Sequence, residues 1–135
     1  MDATAHTPAI EILLTEDNEA DVMLVREALK EHRLNFNLKV FPDGEKTLLF
    51  LDHLEADVTL ARPDIMLLDL GMPEMNGYDV CRSIRQQPWG RGVRIVALTG
   101  WGQERDRQNT REAGFDAHLV KPVDVGLLSE EIGES

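Results

Sequence analysis

Five polar residues of the 135-residue chain stand where short apolar runs end. Glu16 and Asp17 follow Ile10–Thr15 (IEILLT), and Asp69 closes Asp64–Asp69 (DIMLLD). Thr99 closes Val93–Thr99 (VRIVALT), and Lys121 follows Ala117–Val120 (AHLV). Each alone reads most simply as a solvated turn residue, but together they have a definite chemistry. Like charges disfavour each other's ionisation, so three converging carboxylates require a cation. Their hard oxygens suit Mg2+, which takes a few carboxylates and keeps several waters. A cation, a lysine and a hydroxyl around one carboxylate make a phosphoryl pocket. Asp69 is the candidate nucleophile, because carboxylates form acyl-phosphates. The cation and Lys121 would offset charge on the transferred oxygens, and Thr99 would donate to one of them.

The elements that must position these residues alternate along the chain. Ile10–Thr15 reads as a buried strand. A helix capped by Asn18 or Asp21 runs to about His32, with Val22, Val25, Ala28 and Leu29 on one face. Asn37–Phe41 is a second strand, stopped by Pro42-Asp43-Gly44, and a helix from Glu45 to about Glu55 follows. The third strand, Asp64–Asp69, leads through a loop at Leu70–Gly77 into a helix at about Tyr78–Gln86. Pro88–Gly92 is a break before the fourth strand, Val93–Thr99. A fourth helix runs from about Gln103 to Ala113, Ala117–Val120 is the fifth strand, and a weak helix at about Val125–Ile132 carries Gly126 inside it. Strict alternation of this kind predicts an α/β fold, a five-stranded parallel sheet with helices on both faces. Such a sheet binds ligands at the carboxyl ends of its strands, where the five polar residues lie.

Composition narrows the function. One domain is expected, and the formal net charge of −11 disfavours nucleic acid and anionic membranes as partners. The acidity is uneven: Met1–Asp69 carries 15 acidic and 6 basic residues, whereas Leu70–Ser135 carries 10 and 8. Cys81 is the only cysteine, which excludes an intramolecular disulfide and reads as a small buried hydrophobe. The first nine residues lack a cationic stretch followed by an apolar run, and the apolar runs are shorter than the ~20 residues a membrane helix needs, so a cytoplasmic protein is expected.

The chain resembles a two-component response-regulator receiver domain, similar to single-domain chemotaxis and phytochrome-associated regulators. The motifs that carry the resemblance are Glu16-Asp17, PDIMLLDLGMPEMNG (Pro63–Gly77), ALTG (Ala97–Gly100) and VKP (Val120–Pro122), spread over about Ile10 to Ile132. Asp69 precedes Thr99 by 30 positions and Lys121 by 52, as in that family. The resemblance implies a flavodoxin-like (βα)5 fold with strand order 2-1-3-4-5, residues 1–135 forming one receiver with its core at about 10–132. It implies Asp69 as phosphoacceptor, Glu16, Asp17, Asp69 and the Gly71 carbonyl as ligands of Mg2+ (with Mn2+ as the alternative), Thr99 as switch hydroxyl and Lys121 as phosphate contact. It further implies a cis peptide between Lys121 and Pro122.

Some positions depart from the pattern or tune it. Where the family often has Tyr or Phe, three residues before the lysine, this chain has His118, as do receivers of hybrid kinases; an aromatic switch is in doubt, and the ring is expected outward and solvated. Gly71 and Trp101 flank the expected phosphoryl position. Gly71 is small, Trp101 is expected to shield the acyl-phosphate from water, and Gly100 leaves room for a phosphodonor. The implied donor is a histidine kinase or histidine phosphotransfer protein. Residues 122–135 are too few for a DNA-binding module, so output is expected through a protein target. Arg105, Arg107 and Arg111 make the fourth helix cationic, and a homodimer through helix four to helix five is a further expectation. Two other readings stay open: an Asp-nucleophile phosphohydrolase, which needs a second Asp where Gly71 stands, and a pseudo-receiver that works without phosphorylation. Nucleotide hydrolysis is disfavoured, since no GxxxxGK[ST] loop is present. Catalysis of the chain's own phosphorylation and dephosphorylation is expected, rather than turnover of a small substrate.

Overall fold

Runs such as Ile65–Asp69, buried at every position, have no solvent face and demand cover on both sides. The computed structural model describes residues 9–31, 35–57, 59–72, 76–100, 107–121, 126 and 130. Five strands, β1 (Ile10–Thr15), β2 (Phe36–Phe41), β3 (Ile65–Asp69), β4 (Arg94–Thr99) and β5 (Ala117–Val120), form one sheet in the order β2-β1-β3-β4-β5. Every pairing is parallel. The helices are α1 (Glu19–Glu31), α2 (Gly44–Ala56), α3 (Gly77–Gln86) and α4 (Arg107–Ala113), with a 3-10 turn at Pro88–Arg91.

Alternate strand residues face opposite layers. Ile12, Leu14, Leu67, Val96, Leu98 and Leu119 pack with Val25, Ala28 and Leu29 of α1. Leu13, Met66, Leu68, Ile95 and Ala97 pack on the other side with Leu51, Leu54, Val80, Cys81, Ile84 and Ala113 of α2, α3 and α4. Cys81 is fully buried among them, and burial pushes its thiol up to about 11.

Local chemistry sets the element ends. Asn18, not Asp21, caps α1: its Oδ1 accepts from Ala20 N–H (2.8 Å) and Asp21 N–H (3.2 Å). Asp43 caps α2 through Lys46 N–H, and Asn76 caps α3 through the Tyr78 and Asp79 amides, so both helices begin one residue earlier than the apolar pattern predicts. β2 begins at Phe36 because that residue pairs with Ile10. β3 begins after Asp64, whose carboxylate accepts from Glu11 N–H at 2.8 Å. β4 begins at Arg94 rather than Val93.

Arg85 ties together the end of the sheet opposite the strand termini that carry the site. Its guanidinium donates to the carbonyls of Gly114 (2.9 Å), Gly90 (2.8 Å) and Val93 (2.6 Å) and to Asp116 Oδ2 (2.7 Å). Asp116 Oδ2 in turn accepts from Ile95 N–H (2.8 Å). Gly114 ends α4 at φ 107°, a left-handed conformation that favours glycine, and an added Cβ there would meet Arg85 Cγ at 2.9 Å. The expected start of the fourth helix at Gln103 and the last helix at Val125–Ile132 fall on or among residues outside the described ones.

Candidate functional site

Because all five strands run the same way, their carboxyl ends share one edge of the sheet. Glu16 follows β1, and its amide continues the ladder by donating to Phe41 O at 3.0 Å. Asp69 is the last residue of β3. Lys121 follows β5, held there by its own amide donating to Thr99 O at 2.7 Å. An open cleft of ≈ 310 Å³ lies between these ends, lined by Glu16, Asp17, Asn18, Asp21, Asp69, Gly71, Gly100 and Lys121.

The Lys121 ammonium is shared by three carboxylates: Glu16 Oε1 at 2.6 Å, Asp69 Oδ2 at 2.9 Å and Asp21 Oδ2 at 3.1 Å. Burial works against its charge, but the Glu16, Asp69 and Asp21 carboxylates outweigh that and hold it above the ordinary lysine range. Burial also pushes Glu16 up to about 7, reinforced by the Asp69 carboxylate beside it and opposed by Lys121. Asp69 Oδ1 accepts from the Gly71 N–H at 2.8 Å. A Cβ on Gly71 would stand 3.3 Å from that same oxygen, so the small residue permits the close approach.

One oxygen each of Glu16, Asp17 and Asp69 lie within 4.8 Å of one another, with Asp17 exposed and the other two buried. One ammonium thus faces an excess of hard carboxylate oxygen, a donor set matched to a small divalent cation.

The structure gathers Glu16, Asp17, Asp69, Gly71, Gly100 and Lys121 around one cleft. Thr99 is placed differently. It is 1% exposed, it does not line the cleft, and a 2.6 Å hydrogen bond links its Oγ1 to His118 Nε2. The expectation that His118 points outward into solvent is therefore corrected: the ring is half-buried and bonded to the switch candidate. Parallel pairing explains this, since Ala97 stands beside His118 and Thr99 beside Val120, putting residues 99 and 118 on one face of the sheet. Trp101 and Pro122 lie outside the described residues, as do Arg105 and the side chain of Arg107. Asn18 and Asp21 line the cleft although the sequence marked them only as alternative caps. Asp21 sits in the first turn of α1, directly after the strand end that carries Glu16 and Asp17, and that closeness is the signal that could have found it.

Residues 12–133 match the response regulator receiver domain. The chain belongs to that family. It is 34% identical over 110 residues to the response regulator Rcp1 of Synechocystis sp., covering 82% of this chain and 75% of that protein. A structure of Rcp1 in its Mn2+-bound form superposes with a TM-score of 0.73 at 31% identity, covering 91% of this chain and 88% of the other. The receiver domain of the sensor histidine kinase PA1611 from Pseudomonas aeruginosa, solved with a magnesium ion coordinated in its active-site cleft, gives a TM-score of 0.73 at 30% identity, covering 94% of this chain and all of the other. The phosphorylated cyanobacterial phytochrome response regulator RcpA gives 0.75 at 26% identity, covering 93% of this chain and 89% of the other. Among the described residues of this receiver, no helix is long and apolar enough to cross a membrane.

Proposed function

We propose that this receiver is a phosphorelay switch in which Asp69 accepts a phosphoryl group from a phosphohistidine on a histidine kinase or phosphotransfer protein. The observation that carries the reading is the setting of Asp69: one oxygen on the Gly71 amide, the other on Lys121, both beside Glu16 and Asp17. In the transfer, a carboxylate oxygen of Asp69 attacks phosphorus, the P–O bond forms as the P–N bond breaks, and the imidazole leaves with the electron pair. Lys121, already against Asp69 Oδ2, is placed to follow the phosphoryl oxygens. The Gly71 amide fixes the second Asp69 oxygen and so the orientation of the nucleophile.

The donor set of Glu16, Asp17 and Asp69, with the Gly71 carbonyl, fits Mg2+ or Mn2+ and would hold it; the relatives solved with these ions support the choice. When bound, the ion supplies positive charge against the phosphoryl oxygens. Thr99 would leave His118 to donate to one of those oxygens, and the added charge of about −1.5 to −2 would bias the α4–β5 surface toward a protein target or a second copy of the chain. Residues 1–135 act as a single cytoplasmic receiver unit on this reading, with no direct role for nucleic acid or membrane.

The test is incubation with acetyl phosphate and Mg2+, read by intact mass. One phosphoryl adduct that is labile to hydroxylamine and lost in Asp69→Asn supports the reading. No adduct on the folded protein leaves a phosphorylation-independent receiver, and sustained phosphate release from small esters makes it a hydrolase.

A further inference from the structure

The bond between Thr99 and His118 gives this site a feature of its own. A threonine hydroxyl has one proton to donate. If that proton is held by His118, it is withheld from any oxygen on Asp69. Thr99 is 1% exposed and absent from the cleft lining, and its Oγ1 lies 2.6 Å from His118 Nε2, away from the cleft. The ring borders a second cavity of ≈ 210 Å³, lined by Thr110, Arg111, Phe115, Asp116, Ala117 and His118 between α4 and β5. A ring released from Thr99 has space on that side.

We propose that His118 is a positioning residue, a hydrogen-bond latch whose Nε2 accepts the Thr99 proton and retains the hydroxyl away from the cleft until a phosphoryl group on Asp69 competes for it. The inference rests on the phosphoryl reading above and adds to it a partner that opposes the switch. It assigns the ring a polar function where bulk alone would otherwise serve. Breaking the latch is part of the work of activation, so removing it makes activation easier.

Two measurements decide it. The first uses the unmodified protein: ring 15N shifts of His118 report whether Nε2 carries a proton. The latch requires an unprotonated Nε2 whose shift moves in Thr99→Val; a protonated Nε2 overturns it. The second compares binding of the Mg2+–beryllofluoride mimic by wild type and His118→Phe, with Mg2+ affinity alone as the control. The latch predicts mimic binding about fivefold tighter in His118→Phe, unchanged Mg2+ affinity, and partial return toward wild type in His118→Gln. Equal or weaker mimic binding by His118→Phe overturns it. If wild type itself fails to bind the mimic, the phosphoryl reading falls and the latch falls with it, whereas normal wild-type binding with no difference in the variant removes the latch alone.

Discussion

Lowering the pH from 8 to 6 during a Mg2+ titration sets protons against the metal at Glu16. Burial and the neighbouring Asp69 carboxylate place this carboxyl at about 7 without metal. A metal ligand must be ionised. With a midpoint near 7, Glu16 would be about nine-tenths ionised at pH 8 and about one-tenth at pH 6, so apparent Mg2+ affinity should fall about tenfold between them. Above pH 8 the curve should flatten. The same shift has a consequence for stability. A carboxyl raised from 4.5 to about 7 on folding binds more protons in the folded state, so the metal-free protein loses stability as pH rises through that window, by about 3 kcal/mol from this group. Saturating Mg2+ should remove that loss by taking the place of the proton. The assay is calorimetric Mg2+ titration at several pH values, paired with urea unfolding with and without the metal. In Glu16→Gln the binding should be weaker but level between pH 6 and 8. A flat wild-type profile, or an unchanged slope in Glu16→Gln, would refute the assignment of the titrating group.

Three further outcomes are expected. Gly71→Ala puts a methyl 3.3 Å from Asp69 Oδ1; the nucleophile must shift by a few tenths of an ångström, and phosphorylation by acetyl phosphate should slow several-fold with the urea midpoint barely moved, so a wild-type rate would count against the orienting role of the Gly71 amide. Asp21→Asn removes one of the three carboxylates on Lys121; with Mg2+ saturating, phosphorylation by the acetyl phosphate anion should quicken a few-fold, about 0.5–1 kcal/mol, and a slower rate would show that Asp21 positions the lysine instead of restraining it. Arg85→Met strips the partner from the Gly90, Val93 and Gly114 carbonyls and from Asp116; unfolding in urea should register a loss of about 3–4 kcal/mol, and a loss below about 1 kcal/mol would mean the turns find other donors.

What the sequence disclosed follows from how each feature is encoded. β3, and β4 beyond the exposed Arg94, are buried on both faces and so appear as short apolar runs. Parallel strands bring their carboxyl ends to one edge, which made Glu16, Asp17, Asp69 and Lys121 visible as a group before any coordinates. Asp21 was hidden because an acidic residue in the first turn of a helix is already accounted for by the helix dipole. The Thr99–His118 bond was hidden for a different reason: it depends on the β4–β5 register, which sets Ala97 beside His118. No local pattern reports a cross-strand offset. Arg85 was equally silent, since its acceptors are backbone carbonyls of turns whose geometry exists only after the strands have paired.

On the proposed function, the distribution of charge in the cleft gives this arrangement a route to switching. Lys121 is the shared counter-ion of Glu16, Asp69 and Asp21, and burial, with the Asp69 carboxylate beside it, raises the Glu16 carboxyl against the pull of that ammonium. A divalent cation on the Glu16, Asp17 and Asp69 oxygens would neutralise two of the three carboxylates that hold Lys121, leaving Asp21. That would loosen the ammonium to follow a phosphoryl group on Asp69. A phosphoryl group on Asp69 would then present a stronger acceptor to Thr99 than an unprotonated ring nitrogen does, because hydrogen bonds to ionised acceptors are roughly twice as strong as neutral ones. On the proposed function, metal binding and phosphorylation would act in sequence on two restraints, the carboxylates on Lys121 and the ring on Thr99. The Arg85 knot secures the opposite end of β4 and β5, so rearrangement is directed to the strand ends where Thr99 and Lys121 stand. On this argument, releasing both restraints together, in Asp21→Asn combined with His118→Phe, should raise mimic affinity at saturating Mg2+ by about the product of the single effects, because the two restraints hold different atoms. A double variant no tighter than the better single one would show that Lys121 and Thr99 move as one unit.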